Sequence, residues 1–539
     1  MMDFNSRRSP VLGTRGMVAT SQPLAVAAGL EVLAAGGNAA DAAVATAAAL
    51  NVTEPTSTGI GGDAFALYYD AETGSVSSLN GSGRAPAALT LARLQADTRG
   101  KLKATHPHTV TVPGACSAWC QLVERHGRLE MAAVLAPAIR LAEEGFPVAP
   151  VTAYFWERSA ERLLVQAPNG GEMLIDGRAP FAGEIFRNPG LARTFRRVAE
   201  GGTPAFYEGE IADAIVAVLD PLGGAMTVDD LAAHRATWDE PISTTYRGHR
   251  VWECPPNGQG LAALIALNVL EGFDVAGSGP LSAERLHWMI EAMRLGFADG
   301  NWYIADPETD PAPLGALLSK DYAAERRGLI DLDQASVDPV RGAPAAGSDT
   351  VYLSVVDGDG NACSFINSNY MGFGTGIVPQ GWGFTLQNRG YGFSLEKGHP
   401  NVLAPGKRPY HTIIPGLITR PSEGREELFA CYGVMGGYMQ PQGHLQMAVA
   451  LLDDGLDPQT ALDRPRFCIE NGEAGGVVSL EEGLQVEVIR ALSGMGHEIN
   501  LRDGWARSIF GRGQIIVREE TGVLWGGSDP RADGVAMSL

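Results

Sequence analysis

Positive charge is in short supply: 41 Lys and Arg stand against 62 Asp and Glu, a formal net charge of −21. A surface that negative repels nucleic acid and anionic lipid, so neither is an expected partner. Long apolar runs are missing too. The Ala-rich stretch 39–50 is too short to cross a bilayer, which takes about 18–20 apolar residues. The first ten residues carry no apolar signal-peptide core. An Arg7-Arg8 pair occurs without the apolar run that twin-arginine export needs, so the cytoplasm is the expected location. Cysteine is scarce and scattered (116, 120, 254, 363, 431, 468). No second pair joins Cys116 and Cys120 at metal spacing, which leaves free buried thiols as the expectation.

Several chemistries are excluded by missing motifs. There is no Gly-x-Ser-x-Gly elbow, no P-loop, and no His-Glu-x-x-His among the ten histidines. Gly372-Phe373-Gly374-Thr375-Gly376 places its third glycine one residue too early for a dinucleotide fingerprint. Asp357-Gly358-Asp359-Gly360-Asn361 resembles the start of a calcium loop. Its sixth position is Ala362 and its twelfth Ser368, so a hairpin turn is the better reading. No metal and no cofactor are expected.

What is present suggests a large mixed fold. At 539 residues the chain exceeds the usual limit of about 250–300 for one core, so two halves or lobes are expected. Residues 23–50 carry two helical patterns broken at Gly36-Gly37-Asn38. Strands are read at 64–70 and 75–80, a largely helical stretch at 114–300, and a loop rich in Asp, Pro, Ala and Gly at 328–349. Short strands follow Thr350, with helices near 443–453 and 484–495. A helical first part and a strand-rich start to the second fit layered αββα packing.

The most informative junction is Asp349-Thr350. A loop runs into a Thr that opens the β-branched strand Thr350-Val351-Tyr352-Leu353. Cutting the Asp349–Thr350 bond would free a Thr carrying both a nucleophilic hydroxyl and, in its α-amino group, the base that activates it. With an unperturbed pKa of about 7.7–8, that amine is partly unprotonated near neutrality.

An ordered series of motifs spans nearly the whole chain: Gly16-Met-Val-Ala-Thr-Ser-Gln-Pro-Leu-Ala25, Gly36-Gly-Asn-Ala-Ala-Asp-Ala-Ala-Val-Ala45, Glu54-Pro-Thr-Ser-Thr-Gly-Ile-Gly-Gly-Asp63, Thr111-Val-Pro-Gly114, Cys254-Pro-Pro256, Phe373-Gly-Thr-Gly-Ile377, Lys407-Arg-Pro409, Gly436-Gly437 and Gly527-Ser-Asp-Pro-Arg531. The series resembles the γ-glutamyltranspeptidase family of N-terminal-nucleophile hydrolases. The resemblance implies an α+β fold, a four-layer αββα sandwich. It also implies autocleavage into a large chain, 1–349, and a small chain, 350–539, which remain associated as one intertwined unit. Thr350 would be the nucleophile, Ser368 a hydroxyl bonded to it, and Gly436 and Gly437 the oxyanion hole. Oligomeric state, a homodimer of such units among the options, is left open.

The acyl-binding positions depart from that family's pattern. Arg389 stands where a Gln is usual, Gly392 replaces an Asp that neutralises a donor ammonium, and Tyr370 replaces an Asn. His411-Thr412 replaces a Ser pair, and the usual carboxylate-binding Arg is Ser82 here, with Arg84 two residues on. A pocket that loses an anion and gains an Arg should take an acid without a nearby ammonium. The pattern resembles the branch of oxamate amidohydrolase and glutaryl-type cephalosporin acylases. The expected substrate is therefore a small carboxylate-bearing amide, bound by Arg84, Tyr370, Arg389, His411 and Thr412. A true γ-glutamyl hydrolase or transferase acting on glutathione is the alternative, and an uncleaved, non-catalytic scaffold the second.

Overall fold

The computed structural model describes residues 8–336 and 350–539. The 328–349 loop therefore lies largely outside the described residues, and Asp349 with it. Two seven-stranded sheets form the centre. One runs in the order Val11–Gly13, Leu524–Ser528, Arg512–Arg518, Arg425–Met435, Gly416–Ser422, His249–Glu253, Ile242–Tyr246. The other runs Val535–Ser538, Gly16–Thr20, Val351–Asp357, Ala362–Ser368, Asp63–Asp70, Ser75–Asn80, Thr237–Asp239. Every pairing within them is antiparallel.

Alternation along each strand sorts side chains between faces. Tyr352 and Val356 point between the sheets and pack with Leu417, Cys431 and Ile516 from the other sheet. Val351, Leu353 and Val355 point outward, onto helices Pro23–Ala34 and Ala39–Thr53. On the opposite outer face, Ile418, Ala430 and Val434 pack against helices Gly260–Leu270, Ala283–Tyr303 and Met439–Leu452. The layers are therefore helix, sheet, sheet, helix, the expected αββα sandwich. Ala39–Thr53 can be buried at every position because small alanines let neighbours approach on all sides. Its start is fixed by a capping box in which Asn38 accepts from the Asp41 amide and Asp41 accepts from the Asn38 amide.

Two expectations differ from the structure. Separate lobes do not form, because residues before and after Thr350 supply strands to both sheets. The stretch 114–300 contains five strands as well as helices, three of them in the central sheets. Ile242–Tyr246 and His249–Glu253 form a hairpin whose turn residues Arg247 and Gly248 both have positive φ (49° and 79°), the twist a two-residue hairpin demands. Among the described residues, no helix is long and apolar enough to cross a membrane.

The last strands are anchored by a buried ionic network. Arg531 grips Glu481 with two bonds of 2.6 and 2.7 Å and reaches Asp529 at 3.0 Å. Arg507 also donates to Glu481, and Arg466 to Asp529, at 2.6 and 2.7 Å. Asp529 accepts from the Gly513 amide at 2.7 Å, which holds strand Arg512–Arg518 beside the end of Arg425–Met435. Removing one member of such a network strands its partners in the core. Glu481→Ala is expected to cost about 3–5 kcal/mol, read as a lowered urea midpoint; a loss below about 1 kcal/mol would show the network to be dispensable.

Candidate active site

Strand register brings the two expected hydroxyls together. Val351 pairs with Asn367, so the next antiparallel position sets Thr350 opposite Ser368. Their hydroxyls lie 3.1 Å apart and both residues are fully buried. The Ser368 oxygen also accepts from the Tyr370 amide at 2.9 Å and from Arg389 Nη2 at 3.4 Å. Tyr370 holds φ at +78°, a cost of order 1–3 kcal/mol for a bulky residue, in the turn that aims its N–H at Ser368.

Arg389 is fully buried, with its guanidinium 4.2 Å over the Tyr370 ring. Nη1 donates to the Thr412 hydroxyl at 2.8 Å, and Nε has no hydrogen-bond partner among the described residues. Nor does any carboxylate there form an ion pair with it. Burial pulls its pKa down to about 10, opposed by Tyr370 and Asp63, so it remains charged at neutral pH.

Behind these residues lies Asp63, paired with Ser368 across the sheet. One carboxylate oxygen accepts from the amides of Gly83 and Gly114 and from Gln387 Nε2, at 3.1, 3.0 and 2.9 Å. The other accepts from His411 Nε2 at 3.0 Å. Glycine is required beside it, since a Cβ on Gly62 would sit 2.2 Å from the Ser368 carbonyl oxygen. His411 accepts the Ile413 amide at Nδ1, and burial, with Arg389 and Arg408, keeps the ring well below its usual pKa. It is a neutral imidazole with its proton on Nε2.

Gly436 and Gly437 (φ 133° and 60°) form the turn between strand Arg425–Met435 and helix Met439–Leu452. These glycines lie just before the N-terminal end of that helix, where the helix dipole favours negative charge, so their amides suit a developing oxyanion. Gln259 braces the turn: its Nε2 donates to the carbonyls of Gly437 and Thr412 at 2.7 and 2.5 Å, and its Oε1 accepts from Tyr410 at 3.1 Å. A groove of about 960 Å³ opens alongside, lined by Tyr391, Gly392, Tyr410 and Tyr438.

The structure thus gathers Thr350, Ser368, Tyr370, Arg389 and Thr412 into one hydrogen-bonded cluster. It does not gather Arg84, whose guanidinium is taken up by Asp306 at 3.2 Å and Glu308 at 2.5 Å. His411 turns its ring to Asp63 and leaves Thr412 to meet Arg389. Sequence reasoning passed over Asp63, Gln259 and Gln387. Asp63 ends a glycine-rich motif, a signal that a charged side chain is being led into the core. Gln259, in Asn257-Gly258-Gln259-Gly260, carried no signal. One other group among the described residues has donor atoms within 4.8 Å of each other, His287, Glu291 and His497. There Arg294 stands 3.3 Å from Glu291, and its positive charge opposes a cation.

A family model described as Gamma-glutamyltranspeptidase matches residues 25–539. The glutathione hydrolase-like YwrD proenzyme of Bacillus subtilis is 38% identical, over 98% of this chain and 99% of its own length. The oxamate amidohydrolase proenzyme of Klebsiella pneumoniae is 34% identical, over 97% and 98%. Among solved structures, a cephalosporin acylase from Bacillus halodurans superposes with a TM-score of 0.93 at 48% identity, covering 100% of this chain and 98% of that one.

Burial raises the Asp63 carboxyl to about 6 from its ordinary 3.8, against the opposing pull of Arg389 and of the Gln387, Gly114 and Gly83 donors. Between about pH 4 and 6 the folded protein then holds a proton that the unfolded chain has released. Asp63 therefore contributes stability that is complete below pH 4 and lost as the pH rises through 6, on the order of 3 kcal/mol. Urea midpoints of the parent and Asp63→Asn should diverge in pH dependence across that window. A constant difference from pH 4 to 7 would refute the assignment.

Proposed function

The chain belongs to the gamma-glutamyltranspeptidase family, and from that premise we propose an autoprocessed amidohydrolase acting on amides of small carboxylate-bearing acids. The observation that carries the reading is Arg389: a buried, charged guanidinium two hydrogen bonds from Thr350, with no anion paired to it among the described residues. Buried charge is costly; Asp63 offsets it without forming an ion pair, and a substrate carboxylate would supply the missing direct partner.

In the proposed sequence, the Thr350 hydroxyl first attacks the carbonyl of Asp349. The acyl group shifts from nitrogen to oxygen, and water hydrolyses the resulting ester. Two chains result, 1–349 and 350–539, the second starting with a free amine. That amine then takes the hydroxyl proton as Thr350 attacks a substrate amide carbonyl. The Gly436 and Gly437 amides would receive the negative oxygen, and Ser368 would hold the nucleophile in line. The proton passes to the leaving amine, the C–N bond breaks, and water releases the acid from the acyl-enzyme. Net, one amide and one water give one acid and one amine.

A γ-glutamyl donor fits this site less well. Its ammonium would need an acid where Gly392 stands, and Asp63 is already engaged by four donors. Transfer to an acceptor amine in place of water uses the same acyl-enzyme and is decided by what the groove beside Tyr410 and Tyr438 admits.

Thr350→Ala should leave one uncut chain by intact mass and no turnover; fragments or activity in that variant would remove Thr350 as nucleophile. Arg389→Gln should still be cut yet lose about 10–100-fold in kcat/KM on carboxylate-bearing amides, the worth of hydrogen bonds to a charged group. An unchanged kcat/KM, or faster turnover of glutathione than of any dicarboxylic monoamide by the parent, would overturn the substrate reading.

A further inference from the structure

Resting on that reading, we propose that Gln259 is a positioning residue of the reaction. It holds the oxyanion turn and the segment that orients Arg389 in one frame, so that an acid seated on the arginine presents its scissile carbonyl to the Gly436 and Gly437 amides. The two parts are far apart in the chain and meet on one side-chain amide. Gln259 Nε2 carries two hydrogens and faces two acceptors, the Thr412 carbonyl at 2.5 Å and the Gly437 carbonyl at 2.7 Å. Thr412 is also the residue whose hydroxyl accepts from Arg389 Nη1. One nitrogen therefore sets how the support of the arginine stands relative to the oxyanion donors.

The orientation of that amide is fixed. Its Oε1 accepts the Tyr410 hydroxyl at 3.1 Å, which places the carbonyl end there and turns the NH2 end to the two backbone carbonyls. The backbone beneath is held as well. Gln259 N donates to the His411 carbonyl at 3.0 Å, and Gln259 opens helix Gly260–Leu270, every residue of which is buried. A second glutamine makes a parallel link. Gln440, in the first turn of helix Met439–Leu452, donates its backbone amide to the Gly437 carbonyl at 3.1 Å and accepts the Ile414 amide on Oε1 at 2.9 Å. Both glutamines are fully buried, and both join the 411–414 segment to the turn.

The turn needs such support from outside. Two consecutive glycines with φ of 133° and 60° have no side chain to restrict them. The Gly437 carbonyl accepts from Gln259 and Gln440, and the Gly436 carbonyl accepts the Met439 amide at 3.0 Å, so the peptide planes on either side of Gly437 are set. An oxyanion donor owes its worth to being in place before the charge develops, and a displacement of about 1 Å can cost about 10²-fold in rate. Gln259 acts through Gly437 and Thr412, not on the reacting atoms.

The test follows ammonia release from oxamate, succinamate and glutaramate by the parent, Gln259→Met, Gln259→Glu and Tyr410→Phe. Rates are expressed per small chain beginning at Thr350, counted by intact mass. Because the oxyanion exists only in the transition state, the loss should fall on kcat, about 10–100-fold for Gln259→Met with KM within about threefold. Tyr410→Phe keeps both donors but frees the amide to rotate, and should lose about fivefold in kcat. At pH 6 the Gln259→Glu carboxyl, buried between carbonyl oxygens, keeps its proton and returns one donor, so its kcat should exceed that of Gln259→Met, a rescue that packing alone does not give. A kcat for Gln259→Met within about twofold of the parent, a loss carried by KM alone, or Gln259→Glu no faster than Gln259→Met at pH 6 would each overturn the proposal and leave the carboxylate reading intact. A parent that releases ammonia from none of the three amides removes that reading and this proposal together. Where the Gln259 variants fail to fold, Tyr410→Phe decides, an unchanged kcat overturning the proposal.

Discussion

One buried carboxylate ties the centre of this molecule together. Asp63 accepts hydrogen bonds from Gly83, Gly114, Gln387 and His411, residues scattered over more than three hundred positions of chain. An ionised carboxylate in the core is tolerable only when its lone pairs are met, and here two backbone amides, a side-chain amide and an imidazole meet them. Because Asp63 also pairs with Ser368 across the sheet, the strand carrying the second hydroxyl and the loops flanking the pocket share one anchor. The geometry at Thr350 depends on that arrangement even though Asp63 touches neither Thr350 nor any carbonyl it would attack.

Charge around this anchor is arranged against the character of the whole molecule. With a net charge of −21 the protein as a whole repels anions. Beside Thr350, however, stands the guanidinium of Arg389, stacked on Tyr370 and oriented by Thr412, with the Asp63 carboxylate acting on it without an ion pair. Its local surroundings are of low dielectric, where one cation outweighs a distant excess of surface carboxylates screened by water. Arg84 shows the opposite outcome: it is partly exposed and already carries two acids. The two arginines therefore differ in setting: Arg84 is held by two carboxylates, whereas Arg389 makes no ion pair among the described residues and meets Asp63 only through space.

How much of this could be read beforehand varied with how local the signal was. The helix break at Gly36-Gly37-Asn38, the strands near 64–80 and the helix ends near 453 and 495 follow from capping and periodicity, and all appear close to where expected. The hairpin at 242–253 was missed inside a helical stretch, although its β-branched and aromatic residues and its Arg247-Gly248 turn were in plain view. Thr350, Ser368 and the glycine pair could be proposed as nucleophile, partner and donors because they sit in motifs with a fixed order. Gln259 was not, since a glutamine's role depends on which distant carbonyls, those of Thr412 and Gly437, the fold brings to it.

The sequence alone determined the family, the layered αββα class and the candidate nucleophile, since these rest on ordered motifs and on the alternation that decides which face of a strand is buried. It also determined that the pocket gains an arginine and lacks an acid, since composition at a matched position needs no coordinates. Only the tertiary structure decided which arginine lies near Thr350 and Ser368, and that His411 serves Asp63 while Thr412 serves Arg389. Those outcomes are distances between residues far apart in the chain. They are set by sheet register and by competition among buried donors for a few acceptors, which no local pattern of residues encodes.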